Sequence, residues 1–187
     1  VSRYEFCKFE THSVQGAELT GDESRWYSFL VRFESKRKFS MGRIMAYWLF
    51  KSEPGSWSWS DQVAKNGESE EWDGIRNYQA RNYMRSMKVG DLGFFYHSQS
   101  DKAVVGIVEV TAESHQDSTT EDSRWDCVDV REVAGMPRPV TLAACKADER
   151  LKGMVLVNNT RLSVQPVTDE EWRVICELGG YSNNSAT

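Results

Sequence analysis

Three short apolar runs set the terms for any fold of this chain. "AYWLF" at 46–50, "LGFFYH" at 92–97 and "AVVGIVEV" at 103–110 are rich in aromatic and β-branched residues. Polar or turn-forming residues bound each of them. Runs of this length suit buried strands and are far too short to cross a bilayer. Helix signals lie around them. Ser58 or Ser60 is placed to cap a short helix through Ala64, ended by Asn66-Gly67, and Asn77 to cap one from Tyr78 to about Met87. Val89-Gly90-Asp91 reads as a turn. Residues 112–123 are polar and read as loop, whereas 124–133 ("WDCVDVREV" at its centre) alternates as a strand does. Thr141 opens a helix to about Lys146, 161–164 is a last strand, and Thr168 with Glu171 forms a capping box before a terminal helix to Leu178. Strands interspersed with short helices imply an α+β fold, a small curved sheet or partly closed barrel with helices at its sides.

Organised patterning starts at Ala46. Residues 1–44 lack a sustained period and read as a disordered extension, or as sequence upstream of a start at Met41 or Met45. A domain is expected over 45–180 and a loose tail over 181–187. Of the 23 basic and 28 acidic residues, 1–44 holds 8 and 6, leaving 15 and 22 for the rest. A domain this acidic does not coat nucleic acid by charge alone; it needs a local positive patch. The four cysteines, Cys7, Cys127, Cys145 and Cys176, form no C-x-x-C pair, and the three histidines stand at unrelated positions. Neither a zinc site nor a disulfide framework is expected, no cofactor is implied, and a reducing, intracellular setting follows (cytoplasm or nucleoid in a bacterium, nucleus in a eukaryote).

The residues able to carry chemistry fall in four stretches. In "WDGIRNYQARNYMRSMKVGD" (72–91) a helix capped by Asn77 puts Arg81 and Arg85 on one face, with Arg76 just before it and Lys88 just after. That concentrates positive charge near a helix N-terminus and suits phosphate. In "FFYHSQS" (94–100) alternation sets Phe95 and His97 against Phe94, Tyr96 and Ser98, leaving Tyr96, His97 and Ser98 as a polar cluster at a strand end. "RLSVQPV" (161–167) places Arg161 with Ser163 on a strand that ends at Pro166. In "YWLFKSEP" (47–54) Lys51 and Glu53 emerge from an apolar run. They form a surface ion pair of little worth, or else the mouth of a pocket with Trp48 as a flat wall and Ser52 hydrogen-bonding a planar ligand.

Taken in order, "YWLFKSEP", "WDGIRNYQARN", "GDLGFFYHS", "VVGIVEV" and "RLSVQPV" followed by "EEW" resemble the EVE domain family of the PUA-like superfamily, from about Met45 to Leu178. Ile75 departs from the family's commoner valine. The resemblance implies a PUA-like, curved, mostly antiparallel β-barrel flanked by short helices, related to the YTH and ASCH domains. It also implies a non-catalytic reader of modified bases, with modified cytosine in DNA the leading ligand and 5-methylcytosine its simplest form. Such a base must be flipped out and stacked. Trp48, Tyr78 and Tyr96 are then the candidate walls. Ser52, Asn77, His97, Ser98 and Ser163 are candidate readers of the base edge, and Lys51, Arg76, Arg81, Arg85 and Arg161 candidate phosphate contacts. Two alternatives stand beside it: a reader of modified RNA or tRNA, and an ASCH-like amidohydrolase of acylated nucleosides using Lys51 and Glu53. No metal and no membrane partner is implied.

Overall fold

The computed structural model describes residues 45–182; the expectations for 1–44 and for most of the tail lie outside them. Six strands and five helices follow in chain order: β1 (Tyr47–Ser52), α1 (Trp59–Ala64), β2 (Glu70–Glu71), α2 (Tyr78–Ser86), β3 (Leu92–His97), β4 (Ala103–Gln116), β5 (Asp126–Thr141), α3 (Leu142–Ala147), α4 (Val155–Asn158), β6 (Val164–Val167) and α5 (Asp169–Gly179). Among the described residues no helix is long and apolar enough to cross a membrane.

The strands form one sheet in the order β2-β5-β4-β3-β1-β6. β1 and β3 are parallel and every other pair is antiparallel. A parallel pair needs a long crossover, and α1, β2 and α2 supply it. The expected curved β-barrel is not what forms. The sheet is open and is not strongly curled. Its edges explain this. β2 is two residues long and both are glutamates, while β6 carries Pro166, which has no N–H to offer a further strand.

Both faces of the sheet are covered. Leu49, Phe94 and Tyr96 point into a core shared with α5, where Trp172 stacks on Tyr47 at 4.3 Å and on Phe94 at 4.1 Å. Trp48, Phe50 and Phe95 point the other way, onto Trp72 and the Ala80 and Met84 face of α2. Burial on both sides makes every residue of β3 buried, as for a central strand. Asp91 locks the start of β1 to the end of α2: its carboxylate accepts from the Trp48 indole N–H (3.1 Å), the Ala46 N–H (3.3 Å) and the Lys88 N–H (3.0 Å).

Several boundaries differ from the sequence reading. β5 runs past Val133 to Thr141, because Ala134, Gly135, Val140 and Thr141 pair with β4. β4 runs on through the polar residues to Gln116, because His115 and Gln116 pair with Cys127 and Asp126 of β5. The last strand begins at Val164, where pairing with Phe50 starts; Ser163 only lends its carbonyl to the Lys51 N–H at 2.8 Å.

Candidate nucleic-acid interface

The first part of the site grows from the N-terminus of α2. Asn77 Oδ1 accepts from the N–H groups of Gln79 (2.9 Å) and Ala80 (3.1 Å), so the capping read from sequence is made. The loop before it is held from below by Asp117, whose side chain is fully buried. Asp117 Oδ2 accepts from Gly74 N–H (3.0 Å) and Arg76 Nη1 (2.7 Å), and Oδ1 accepts from Thr119 N–H (2.8 Å). Burial alone would raise the Asp117 pKa; the hydrogen bonds from Thr119 and Arg76 outweigh it and bring it down to about 2.

A pH prediction follows. A depressed carboxylate stabilises the fold fully above its ordinary pKa of 3.8, and that stabilisation is lost as pH falls toward about 2. Asp117→Asn should therefore lower stability at neutral pH. It should also flatten the decline between pH 4 and pH 2 in urea midpoints measured across that window. A parallel decline in both proteins would deny Asp117 this role.

Above that loop, arginines and aromatic rings alternate. Tyr78 is 52% exposed. Its ring lies 5.0 Å from that of Trp125 at 30°. Arg81 Cζ sits 4.9 Å over Tyr78 and Arg76 Cζ 5.7 Å over Trp125. Arg81 Nη1 donates to the Arg124 carbonyl at 2.9 Å, and Arg124 Nη1 reaches the Tyr78 hydroxyl at 3.4 Å. The charges are not equivalent. Arg76 is paired with Asp117, Arg85 with Asp126 and Arg124 with Asp122. Arg81 donates to neutral oxygens, those of Asn82 and Arg124, so its charge stays available to an incoming anion.

The second part lies at the C-terminal ends of the parallel strands, where Ser52 stands opposite His97. Ser52 Oγ donates to the Trp57 carbonyl (2.6 Å), and the Ser98 N–H (2.8 Å) and Oγ (3.0 Å) both donate to the Ser52 carbonyl. His97 Nε2 accepts from the Trp59 N–H at 3.0 Å, which leaves the ring proton on Nδ1, facing Asp101 at 2.9 Å. Both ring nitrogens are thus occupied by the fold. The half-buried Trp59 ring packs on Phe95 at 5.3 Å, and Phe95 meets Trp72 at 5.4 Å. Trp59 also lies across Gly106, where an added Cβ would come within 2.4 Å of the indole. Gly106→Val should cost about 1–3 kcal/mol by overpacking, read as a lower urea midpoint. Gly135→Ala, whose Cβ would sit 3.5 Å from the same ring, should be close to neutral.

The remaining expected residues are dispersed. Trp48 (6% exposed) and Tyr96 (3% exposed) are buried on opposite faces of the sheet, so they do not form two walls of one cup. Lys51 Nζ donates to the Thr160 carbonyl (3.1 Å) and approaches that of Asn159 (3.5 Å), 5.8 Å over the Tyr96 ring. Burial lowers its pKa to about 8. Glu53 accepts from Gln99 at 3.0 Å, so the Lys51 and Glu53 side chains are engaged with different partners. Arg161 is exposed. Sequence reasoning missed Trp57, Trp59, Arg124 and Trp125. The adjacent "RW" at 124–125, a cation beside an aromatic ring, was the available signal for the last two.

The EVE domain family model matches residues 46–178. The chain belongs to the EVE domain family. This EVE domain is 35% identical over 176 residues to human thymocyte nuclear protein 1, covering 77% of this chain and 78% of that protein. It is similar to the crystal structure of an Agrobacterium tumefaciens protein, with 57% identity, TM-score 0.73, and coverage of 76% of this chain and 98% of that one. It is also similar to human THYN1 in complex with 5-methylcytosine containing DNA, with 35% identity, TM-score 0.68, and coverage of 72% and 97%.

Proposed function

We propose that this EVE domain is a non-catalytic module that binds DNA carrying a modified cytosine and takes the flipped base against its aromatic rings. The observation that carries the reading is the exposed Tyr78 ring grouped with Arg81 and Trp125. Stacking on such a ring is worth about 1–3 kcal/mol per base, and guanidinium groups beside it match phosphate geometry. The relative crystallised with 5-methylcytosine DNA supplies the ligand class. Arg81 is the leading phosphate contact, with Arg76 and Arg85 on the same segment; Lys51 and Arg161, which lie apart from it, are the further candidates. Ser52, Asn77, Ser98 and Ser163 are the polar groups proposed for the base edge, with Trp57 and Trp59 beside the first of them; His97, expected among them, has both ring nitrogens engaged and holds the Trp59 backbone instead. Trp48 and Tyr96 serve by fixing the two cores behind these surfaces. The human and mouse relatives are named thymocyte nuclear protein 1, which supports the intracellular role proposed here.

The deciding experiment is fluorescence anisotropy with matched duplexes that differ in a single 5-methyl group, with a matched RNA as competitor. Tighter binding of the methylated duplex is the expected result. Equal affinity for both duplexes would overturn the reading, and preferential competition by RNA would transfer it to the RNA alternative.

A further inference from the structure

Glu71, His115 and Cys127 come from three neighbouring strands, β2, β4 and β5. They bring a carboxylate oxygen, an imidazole nitrogen and a sulfur within 4.8 Å of one another. The pairing register does this: His115 lies opposite Cys127, and Glu71 lies opposite Asp129. The Cys127 sulfur is 3.5 Å from His115 Nδ1 and 3.7 Å from Nε2. Asp129 Oδ1 is 2.8 Å from His115 Nε2, and the Gln116 carbonyl is 3.2 Å from Nδ1. Cys127 is buried, whereas Glu71, His115 and Asp129 are half-buried and reachable by a dissolved ion.

We propose that Glu71, His115, Cys127 and Asp129 form a binding site for a divalent transition-metal ion of the zinc class, which clamps β2, β4 and β5 together beside the arginine–aromatic platform. The donor set decides the class. Magnesium and calcium take oxygen ligands, whereas a thiolate with an imidazole selects zinc and its neighbours. Bonds of about 2.0–2.3 Å in a tetrahedral site put the ligand atoms roughly 3.3–3.8 Å apart. The sulfur–imidazole separations already fall in that range; the Asp129–His115 pair at 2.8 Å opens as the ion takes the place of the shared proton, and Glu71, within 4.8 Å of the other two ligand atoms, closes by side-chain rotation. On binding, the Cys127 thiol releases a proton to solvent, and His115 binds through Nε2 as the neutral imidazole with its proton on Nδ1. The Nδ1–H then donates to the Gln116 carbonyl and orients the ring. Affinity therefore rises with pH.

The ligands also sit where a clamp would matter. Glu71 leads directly into the loop from Trp72 to Arg76. His115 lies two residues before Asp117, which anchors that loop, and Cys127 lies two residues after Trp125. An ion here would tie together the three segments that carry the platform. The spacing in sequence concealed it, because only sheet pairing brings the residues together.

The test reads the ion itself and does not depend on the nucleic-acid reading. Cobalt(II) is titrated into metal-free protein. The expected result is one ion per chain, with a thiolate-to-cobalt charge-transfer band in the near ultraviolet that zinc abolishes and excess magnesium does not. Cys127→Ser should lose the band, and His115→Ala and Glu71→Gln should weaken binding at least ten-fold. Cys7→Ser, Cys145→Ser and Cys176→Ser should leave it unchanged. Absence of the band in the unsubstituted protein, or its persistence in Cys127→Ser, overturns the proposal. If Cys127→Ser does not fold, a folded His115→Ala that binds cobalt as the unsubstituted protein does overturns it equally.

Discussion

Trp48→Ala should cost about 3–5 kcal/mol of stability, the range for deleting a large buried aromatic side chain. That is a large share of the 5–15 kcal/mol that holds a domain of this kind together. Two losses combine. The indole fills the core between β1 and α2 alongside Phe50, Met84 and the Tyr83 ring, whose centroid is 6.1 Å away. Its N–H also satisfies Asp91, the carboxylate that joins β1 to the turn after α2. Trp48→Phe separates them in part: it keeps most of the ring volume and loses the hydrogen bond to the Asp91 carboxylate, so about 1.5–3 kcal/mol is expected. Urea unfolding followed by circular dichroism gives both numbers. An Ala variant with an unchanged midpoint that no longer distinguishes methylated from plain duplex would restore Trp48 as a wall of the base pocket.

Trp48 lies beyond what a single strand's pattern encodes. Alternation within β3 correctly separates Phe95 and His97 from Phe94 and Tyr96, because side-chain period is a property of one strand. Placing Trp48 relative to Tyr96 needs the register between β1 and β3, in which Trp48 meets Gly93 and Lys51 meets Tyr96. Nothing local encodes that register. The caps at Asn77, Thr141 and Thr168, and the first cap to within Ser58 or Ser60 (the structure uses Ser58), were legible for the opposite reason, since each is a contact within three residues. Barrel closure was not legible, because it turns on the lengths of edge strands, and a two-residue β2 leaves no periodicity to read. The interface was half legible. Arg76, Tyr78 and Arg81 lie in one segment, but Arg124 and Trp125 join them only because β5 starts beside α2. Asp117, in a stretch read as loop, gave no hint that it would be buried and would hold Arg76.

The platform's own test is a pair of variants that should weaken DNA binding in different ways. Tyr78→Ala removes a stacking surface, so affinity should fall by about 5- to 150-fold, the equivalent of about 1–3 kcal/mol. Stacking releases no counterions, so the slope of log affinity against log salt should stay as it was. Arg81→Ala removes a charge that no carboxylate among the described residues pairs with. Affinity should fall at low salt, and the slope should become shallower by about one, because one fewer phosphate is neutralised. Arg85→Ala is the internal comparison. Its guanidinium is already paired with Asp126, so binding a phosphate would first require breaking that pair, and the slope should change by much less. Neither Tyr78 nor Arg81 lies in a buried core cluster, so unfolding midpoints should move little, and the binding losses can be read without correction for folding. If Tyr78→Ala changed the salt slope and Arg81→Ala did not, the assignment of stacking to one and phosphate to the other would be reversed. If neither changed affinity, the nucleic acid would have to bind elsewhere, and the strand-end surface around Ser52, Trp57 and Trp59 would be the next place to mutate.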